Sequence, residues 1–202
     1  MKNYEYIIAG LPQIQQAHSH GEQIDADAVI ASVRELLDED DAAVLDFMLS
    51  AYESENLTVS FYQKALKHKN AFIRSFFEFD LNLRNAKVAY LNKALSRPAG
   101  KDIMELPERE ESDFEEKAAI DAVLQGKDII KREKGLDDIV WEFIEEQTMM
   151  EVFSLDLILS CIAKLKIIDR WNKLDPETGA AFFRKLVKDL RATYDNKKNN
   201  II

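Results

Sequence analysis

Hydrophobic side chains recur every three or four residues along most of this chain, which is the spacing expected of amphipathic α-helices. One such run begins at Val29, shortly after Asp25 and Asp27, either of which can cap a helix. A second run follows Asp38–Asp41, where carboxylates stabilise the unpaired N–H groups of a helix N-terminus. Only Tyr4–Leu11 looks strand-like, and because an isolated strand has no partner, extended chain and a first helical turn are equally compatible with it.

The pattern continues over two longer segments, each of which predicts a long helix. The first is Thr58–Leu95, with a weak point at His68–Asn70. The second is Leu136–Asn172. Between them, residues 97–111 show no helical period and contain two of the four prolines, so a boundary between two parts of the chain is predicted there.

Glycine and proline usage also favours helices. Six glycines and four prolines are few for 202 residues, and they lie between the periodic segments. Ser112–Glu115 has the order of a capping box, and Asp175–Gly179 supplies the cap of a last helix over Ala180–Tyr194. The predicted fold class is all-α, a bundle of long helices, with an N-terminal half over residues 1–100 and a C-terminal half over residues 101–202 packed as one unit.

An internal similarity relates the two long segments. Phe77–Leu83 and Phe153–Leu159 match at a phenylalanine, an apolar residue, an aspartate and two leucines, and both are expected to lie within long helices. A true repeat would make the protein two related helical halves. Chance matching in a leucine-rich chain is the other interpretation.

Composition excludes several classes of function. The 37 acidic residues outnumber the 27 basic ones, and a formal net charge of −10 lacks the basic field that nucleic acid requires. The longest apolar stretch, Val152–Ile168, contains Asp156, Lys164 and Lys166, so it is too short and too charged for a membrane span. With no signal-peptide pattern, we expect a cytoplasmic protein without direct membrane insertion. The single cysteine, Cys161, is expected to be buried and inert.

A polar stripe marks the second long segment. Asp156, Ser160 and Lys164 are four residues apart, so they share one face of a helix that is otherwise apolar. Asp80 and Arg84 have the same separation in the first long segment. Since an unpaired buried carboxylate is costly, we expect hydrogen-bonding or ionic partners for both aspartates.

The sequence gives no positive indication of catalysis. It contains no Glu-x-x-His or His-Glu-x-x-His spacing, and its serines, histidines and aspartates do not suggest a triad. His18 and His20 beside Gly21 favour a solvated loop over a metal site, and Asp40 and Asp41 favour helix capping over a magnesium motif. We therefore expect no enzyme activity, cofactor or metal.

One enzymatic alternative nevertheless stays open. The acidic stretch that begins at Glu142 has the spacing of a solvated helix face. A metal-dependent helical hydrolase would instead require Glu142, Glu145, Asp80 and Asp156 to meet inside the bundle.

Three stretches carry a resemblance to a known family: Tyr4–Pro12, Phe76–Ala89 and Ile162–Leu186. They are similar to a prokaryotic family of unknown function that accompanies bacterial V-type ATPase genes and, more distantly, to the all-helical connecting subunit of V/A-type ATPases, called C or d. The similar features are a tyrosine-rich opening, a helix that contains Leu-Arg-Asn, and a Lys-Leu helix before an Arg-Trp pair.

The resemblance implies a mechanical function in ion transport. The connecting subunit is a funnel of helices in the central stalk, between the membrane ring of proteolipid subunits and the rotating shaft. This chain has room for fewer helical units, which argues against a complete funnel. The resemblance implies a non-catalytic subunit or accessory factor that binds the shaft and the ring. Such a protein would be held at the inner membrane through the ATPase. Rotor, stator and assembly roles are all compatible with the resemblance. The positions that would line the funnel or lock helix register are Asp80, Asn82, Arg84, Asn85, Asp156 and Lys164.

A free-standing helical adaptor for other proteins is the alternative function. Phe72, Phe76 and Phe79 share one side of the first long segment. If their rings are exposed, they form a binding surface, whereas buried rings make that side part of the core, which their spacing favours.

Overall fold

The computed structural model of the protein describes residues 2–16, 24–106, 114–174, 179–185 and 187–188. These residues contain helices and connecting turns and no strand, so the prediction of an all-α fold is confirmed for them. In chain order the helices are α1 (Tyr4–Gly10), α2 (Ala26–Leu36), α3 (Glu39–Ser50), a 3-10 turn (Ser54–Asn56), α4 (Val59–Leu66), α5 (Ala71–Ala94), α6 (Lys117–Leu124), α7 (Ile129–Thr148) and α8 (Leu155–Asn172). Residues 179–185 and 187–188 are also helical.

Side-chain caps begin α2 and α3 where the sequence predicts them. The Asp25 carboxylate accepts a hydrogen bond from the N–H of Ala28, and the Asp38 carboxylate accepts one from the N–H of Asp41. Each cap satisfies an N–H group that the first helical turn leaves without an intrahelical partner. The strand-like stretch near the N-terminus is helical.

The first long segment is divided at its weak point. Helix α4 ends at Leu66 and α5 begins at Ala71. The side-chain oxygen of Asn70 accepts a hydrogen bond from the N–H of Ile73 at 2.8 Å, which caps α5. A local hydrogen bond thus opens a new helix after His68–Asn70.

The prediction of one continuous helix over Leu136–Asn172 is wrong. Helix α7 ends at Thr148 and α8 begins at Leu155, although the connection contains neither glycine nor proline. The Ser154 hydroxyl accepts a hydrogen bond from the N–H of Leu157 at 3.2 Å. A serine that caps a helix competes with helix continuation, because its backbone adopts an extended conformation.

Several sequence predictions fall outside the described residues. They include the start of the Ser112–Glu115 capping box, the cap Asp175–Thr178, residues 186 and 189–194 of the last helix, and both His18 and His20. Helix α6 begins at Lys117, later than the capping box suggests.

The described hydrophobic residues form two core clusters. The larger one contains buried residues of α1 to α5, α7 and α8, among them Leu45, Tyr62 and Phe77. The smaller one joins α5, α6 and α7, where the Phe79 and Phe143 rings stack 4.3 Å apart. Burying each such side chain contributes about 1.5–3 kcal/mol. The larger cluster contains residues from both sides of residue 100, and the division of the chain at that point stays a prediction.

Contacts along the three longest helices fix their directions. On α5 and α7, Phe79 stacks on Phe143, whereas Tyr90 accepts a hydrogen bond from Arg132 eleven positions earlier on α7, so these two helices are antiparallel. Helix α8 is antiparallel to α7 as well, because residue 164 contacts residue 145 and residue 170 contacts residue 137. Helices α5 and α8 therefore run in the same direction, and they also contact each other.

The structure does not support equivalence of the two similar heptapeptides. Phe77 lies inside α5 and is 1% exposed, whereas Phe153 precedes α8 and is 53% exposed. The expectation that both stretches lie within long helices is therefore wrong for Phe153–Leu159.

Candidate functional site: polar contacts between helices

Asp80 on α5 is bound by a tyrosine from α4. The Tyr62 hydroxyl donates a hydrogen bond to Oδ2 of Asp80 at 2.6 Å, and the Tyr62 side chain is fully buried. Burial raises the pKa of the Asp80 carboxyl, while the Tyr62 hydrogen bond and the charges of Arg84 and Lys87 oppose this effect. The predicted partner of this aspartate therefore comes from a neighbouring helix.

Asp156, in the first turn of α8, is bound by the cap of α5. The side-chain amide nitrogen of Asn70 donates to Oδ1 of Asp156 at 2.5 Å, while the side-chain oxygen of Asn70 accepts from the N–H of Ile73. Asn70 thus uses both ends of its amide, and it connects the N-terminus of α5 to the N-terminus of α8. The prediction of a partner for Asp156 is confirmed.

Lys164 connects α8 to α7 through an ionic and an aromatic contact. Its Nζ lies 3.0 Å from Oε1 of Glu145 and 5.0 Å from the ring centroid of Trp141. The Trp141 indole N–H donates to the same Glu145 oxygen at 2.8 Å. The hydrogen bond from Lys164 is the main reason that the pKa of Glu145 is lowered. The third member of the polar stripe, Ser160, donates to a carbonyl within α8 instead.

The remaining predicted residues lie on the second half of α5. Asn85 makes a reciprocal pair with the backbone of Met104, at 2.9 Å to its carbonyl and 3.0 Å from its N–H. Asn82 lines a groove of about 1020 Å³ between α5 and α6. Arg84 is exposed. Asn82 and Asn85 thus share this groove, but the six predicted residues do not converge on one site.

The carboxylates of the hydrolase hypothesis do not share a site either. Asp80, Glu145 and Asp156 hydrogen-bond to different partners on different helices, and Glu142 is exposed. Within the described ranges, no group of three or more histidine, cysteine, aspartate or glutamate side chains is placed to hold a metal ion.

Sequence reasoning missed a polar cluster that connects three helices. Asp137 on α7 is 8% exposed, and its Oδ2 accepts hydrogen bonds from the Arg170 guanidinium and, at 2.6 Å, from the Trp171 indole. Arg170 also lies 3.7 Å from Glu133, which is 3.6 Å from Lys87 on α5. The cluster therefore joins α5, α7 and α8. The Arg-Trp pair and the four-residue spacing of Glu133 and Asp137 were the available signals.

A second missed contact holds α1 in place. Asp41 is buried, and its two oxygens accept hydrogen bonds from Lys2 Nζ and from the Tyr4 hydroxyl, both at 2.6 Å. Capping of α3 is carried out by Asp38. An acidic residue that the pattern assigned to the helix N-terminus thus also binds the N-terminal segment.

The aromatic side of the first long segment belongs to the core, as its spacing predicts. Phe72, Phe76 and Phe79 are all buried, as the core interpretation of their spacing favours, so a binding role for their rings is wrong. Large exposed apolar residues lie instead in the α7–α8 connection, at Met149, Met150, Val152 and Phe153. We call these four residues the apolar tip.

The thiol of Cys161 is only partly buried, which corrects the expectation of full burial. Burial nevertheless raises its pKa to about 11. A thiol with this pKa is almost wholly protonated at neutral pH and is a poor nucleophile.

Comparison with known proteins identifies a family and no individual relative. A family model described as "Protein of unknown function (DUF2764)" matches residues 54–193. No curated protein and no solved structure matches the chain. In the part of the chain that the structure describes, no helix has the length and apolar character needed to cross a bilayer.

Proposed function

The chain belongs to this family of unknown function, and we propose that it is a non-catalytic helical subunit or accessory factor of a bacterial V-type ATPase, similar to the connecting subunit between central shaft and proteolipid ring. The observation that carries the proposal is the use of the candidate polar residues. Asp80, Asn85, Asp156 and Lys164 each bind a residue of another helix or loop. These contacts hold helices and loops in register, which a subunit that transmits torque requires.

The arrangement of the long helices supports the same proposal. Helices α5, α7 and α8 pack side by side, and the cluster around Asp137 and Arg170 connects all three. A close-packed interior has low compressibility and transmits strain. Directional hydrogen bonds between the helices add resistance to sliding, because sliding would separate a buried carboxylate from its donors.

Charge indicates the chemistry of the partners. A chain with a formal net charge of −10 is attracted to basic surfaces and repelled by anionic lipid head groups. Binding to basic faces of other ATPase subunits is therefore favoured over direct binding to the membrane.

The proposal is tested by purification from the native cell. Affinity-tagged full-length chain is expected to recover the catalytic and proteolipid subunits of the ATPase in fixed proportion. In cells without the chain, ATP hydrolysis by isolated membranes is expected to continue while ATP-driven ion transport falls, because a missing connection uncouples the two. Recovery of an intact, fully coupled ATPase from such cells contradicts the proposal.

A free-standing adaptor is the second candidate function, and the apolar tip favours it. Exposed methionine and phenylalanine side chains on a short connection are typical of protein-binding surfaces. In the adaptor interpretation, Met150→Ser with Phe153→Ser abolishes recovery of a partner that is not an ATPase subunit. Ile129→Ser with Ile130→Ser is the matched control, since these residues are similarly exposed at the other end of α7.

A further inference from the structure

The helical residues 179–185 and 187–188 carry an apolar and basic surface that the described chain leaves open. Phe182 and Phe183 are 68% and 65% exposed. Arg184, Lys185 and Lys188 are exposed beside them, on a chain whose formal net charge is −10. A helix of this composition needs an apolar surface with acidic surroundings.

A groove with the complementary composition lies between α1 and α2. Its volume is about 510 Å³, and most of its lining is apolar, including Ile7, Leu11 and Val33. Its lining residues Tyr6 and Leu36 are themselves exposed. The groove is therefore open to solvent and large enough to take aromatic side chains.

Acidic residues stand beside this groove on both of its helices. Glu5 precedes the lining residue Ala9 on α1 by four positions, and Glu35 follows the lining residue Ser32 on α2 by three, so each glutamate shares a side of its helix with a lining residue. Both glutamates are exposed. The surroundings of the groove thus have the charge opposite to that of Arg184, Lys185 and Lys188.

We propose that the helical residues 179–185 and 187–188 of one copy of the chain dock in the α1–α2 groove of a second copy, with Phe182 and Phe183 inside the groove and the basic side chains next to its glutamates. The basis is the match in both apolar character and charge between two surfaces of one molecule. The proposal does not depend on a role in an ATPase. A reciprocal exchange of two such helices gives a closed dimer with two equal contacts.

Two other binding partners, an anionic membrane and the groove of the same chain, would give different experimental results. A basic amphipathic helix can lie on an anionic membrane, but then the groove has no part in binding. Docking of the helix into the groove of its own chain would leave the protein monomeric. Oligomeric state and vesicle binding therefore separate the three cases.

The experiment measures the molar mass of purified full-length chain by light scattering over a range of concentrations. Wild type is expected to form a dimer. Phe182→Ser with Phe183→Ser is expected to weaken it by about tenfold or more, because two aromatic side chains stay in water. Ser32→Arg, at an exposed lining position, is expected to do the same through bulk and positive charge. The controls are Ala180→Ser with Ala181→Ser, and Ser60→Arg, which makes the same serine-to-arginine change at an exposed position of α4 outside the groove lining.

A mixing experiment tests the contact directly. The Phe182→Ser/Phe183→Ser chain keeps its groove and the Ser32→Arg chain keeps its helix, so an equimolar mixture is expected to form a heterodimer through one contact. A wild-type chain that stays monomeric at every concentration overturns the proposal. Dimerisation that neither variant weakens also overturns the proposal. Binding of a monomeric chain to vesicles of phosphatidylcholine and phosphatidylglycerol would overturn it as well.

Discussion

Arg170 and Trp171, consecutive residues at the end of α8, both donate hydrogen bonds to one oxygen of Asp137 on α7. Adjacent side chains on a helix point about 100° apart, so a carboxylate bound by both must lie between their directions. Because Asp137 is buried, its charge depends on these two donors for stabilisation. The contact therefore fixes both the rotation and the height of α8 relative to α7.

Removing this carboxylate should destabilise the fold. Asp137→Ala is expected to lower the free energy of unfolding by about 2 kcal/mol, because Trp171 loses its acceptor while half-exposed Arg170 can still bind water. Urea denaturation measures the loss. Glu133→Gln is the control, and its more exposed pairs should contribute less than about 1 kcal/mol. Equal losses for the two variants would refute the central role of Asp137.

Stability should depend on pH through Asp80. Burial raises the pKa of this carboxyl in the folded state, so the folded chain holds the proton at pH values where the unfolded chain has released it. Its contribution to stability is then present at low pH and is lost as the pH rises from about 4, the pKa of an ordinary aspartate, through the folded-state pKa. Asp80→Asn should remove this part of the pH dependence.

Tyr62→Phe provides the matched test of the same pair. It removes the hydrogen bond that lowers the pKa of Asp80, so the folded-state pKa should rise. The fall in stability should then continue to higher pH than in wild type. The variant should also lose about 1–3 kcal/mol at neutral pH, because Asp80 is left without its buried donor. Urea unfolding at a series of pH values measures both effects. A pH profile that is identical in wild type and Asp80→Asn argues against titration of this group.

The two functions of Asn70 can be measured separately. Asn70→Ser retains a side-chain oxygen for capping but is too short to replace the amide that binds Asp156, whereas Asn70→Ala loses both interactions. We expect Asn70→Ala to destabilise the protein by about 1 kcal/mol more than Asn70→Ser, because a helix cap contributes about this much to stability. In an Asp156→Ala background, Asn70→Ser should lower the free energy of unfolding by less than it does in wild type. An equal loss in both backgrounds would show that the contact between α5 and α8 contributes nothing to stability.

Helices α6 and α7 approach closely at a glycine. A Cβ added at Gly135 would lie 3.0 Å from Cγ1 of Val123. We expect Gly135→Ala to destabilise the protein, because the β-branched Val123 has few alternative rotamers in a helix. In a Val123→Ala background the same change should stabilise by up to about 1 kcal/mol through helix propensity. Thermal unfolding of wild type, the two single variants and the double variant measures both effects. If Gly135→Ala lowers stability in both backgrounds, contact with the backbone rather than with the Val123 side chain limits how closely α6 and α7 approach.

Local chemistry allowed much of the helical fold to be predicted from the sequence. Asp25, Asp38 and Thr58 each cap a helix through a bond to an N–H three residues later. The break at His68–Asn70 has the same origin. The helical period placed Phe72 and Phe76 in the core, because one apolar face of a helix needs burial whatever covers it.

The sequence by itself therefore determined where α2, α3, α4 and α5 begin, which faces are apolar, and that the chain carries excess negative charge. Tertiary structure alone decided which polar side chains meet: Asp137 and Arg170 are 33 residues apart, and Asn70 and Asp156 are 86 apart. It also decided that the six candidate residues do not converge on one site. The physical reason is the distance along the chain between the interacting groups. A cap binds an N–H within one turn of its own helix, whereas a contact between helices depends on the direction and rotation with which those helices pack.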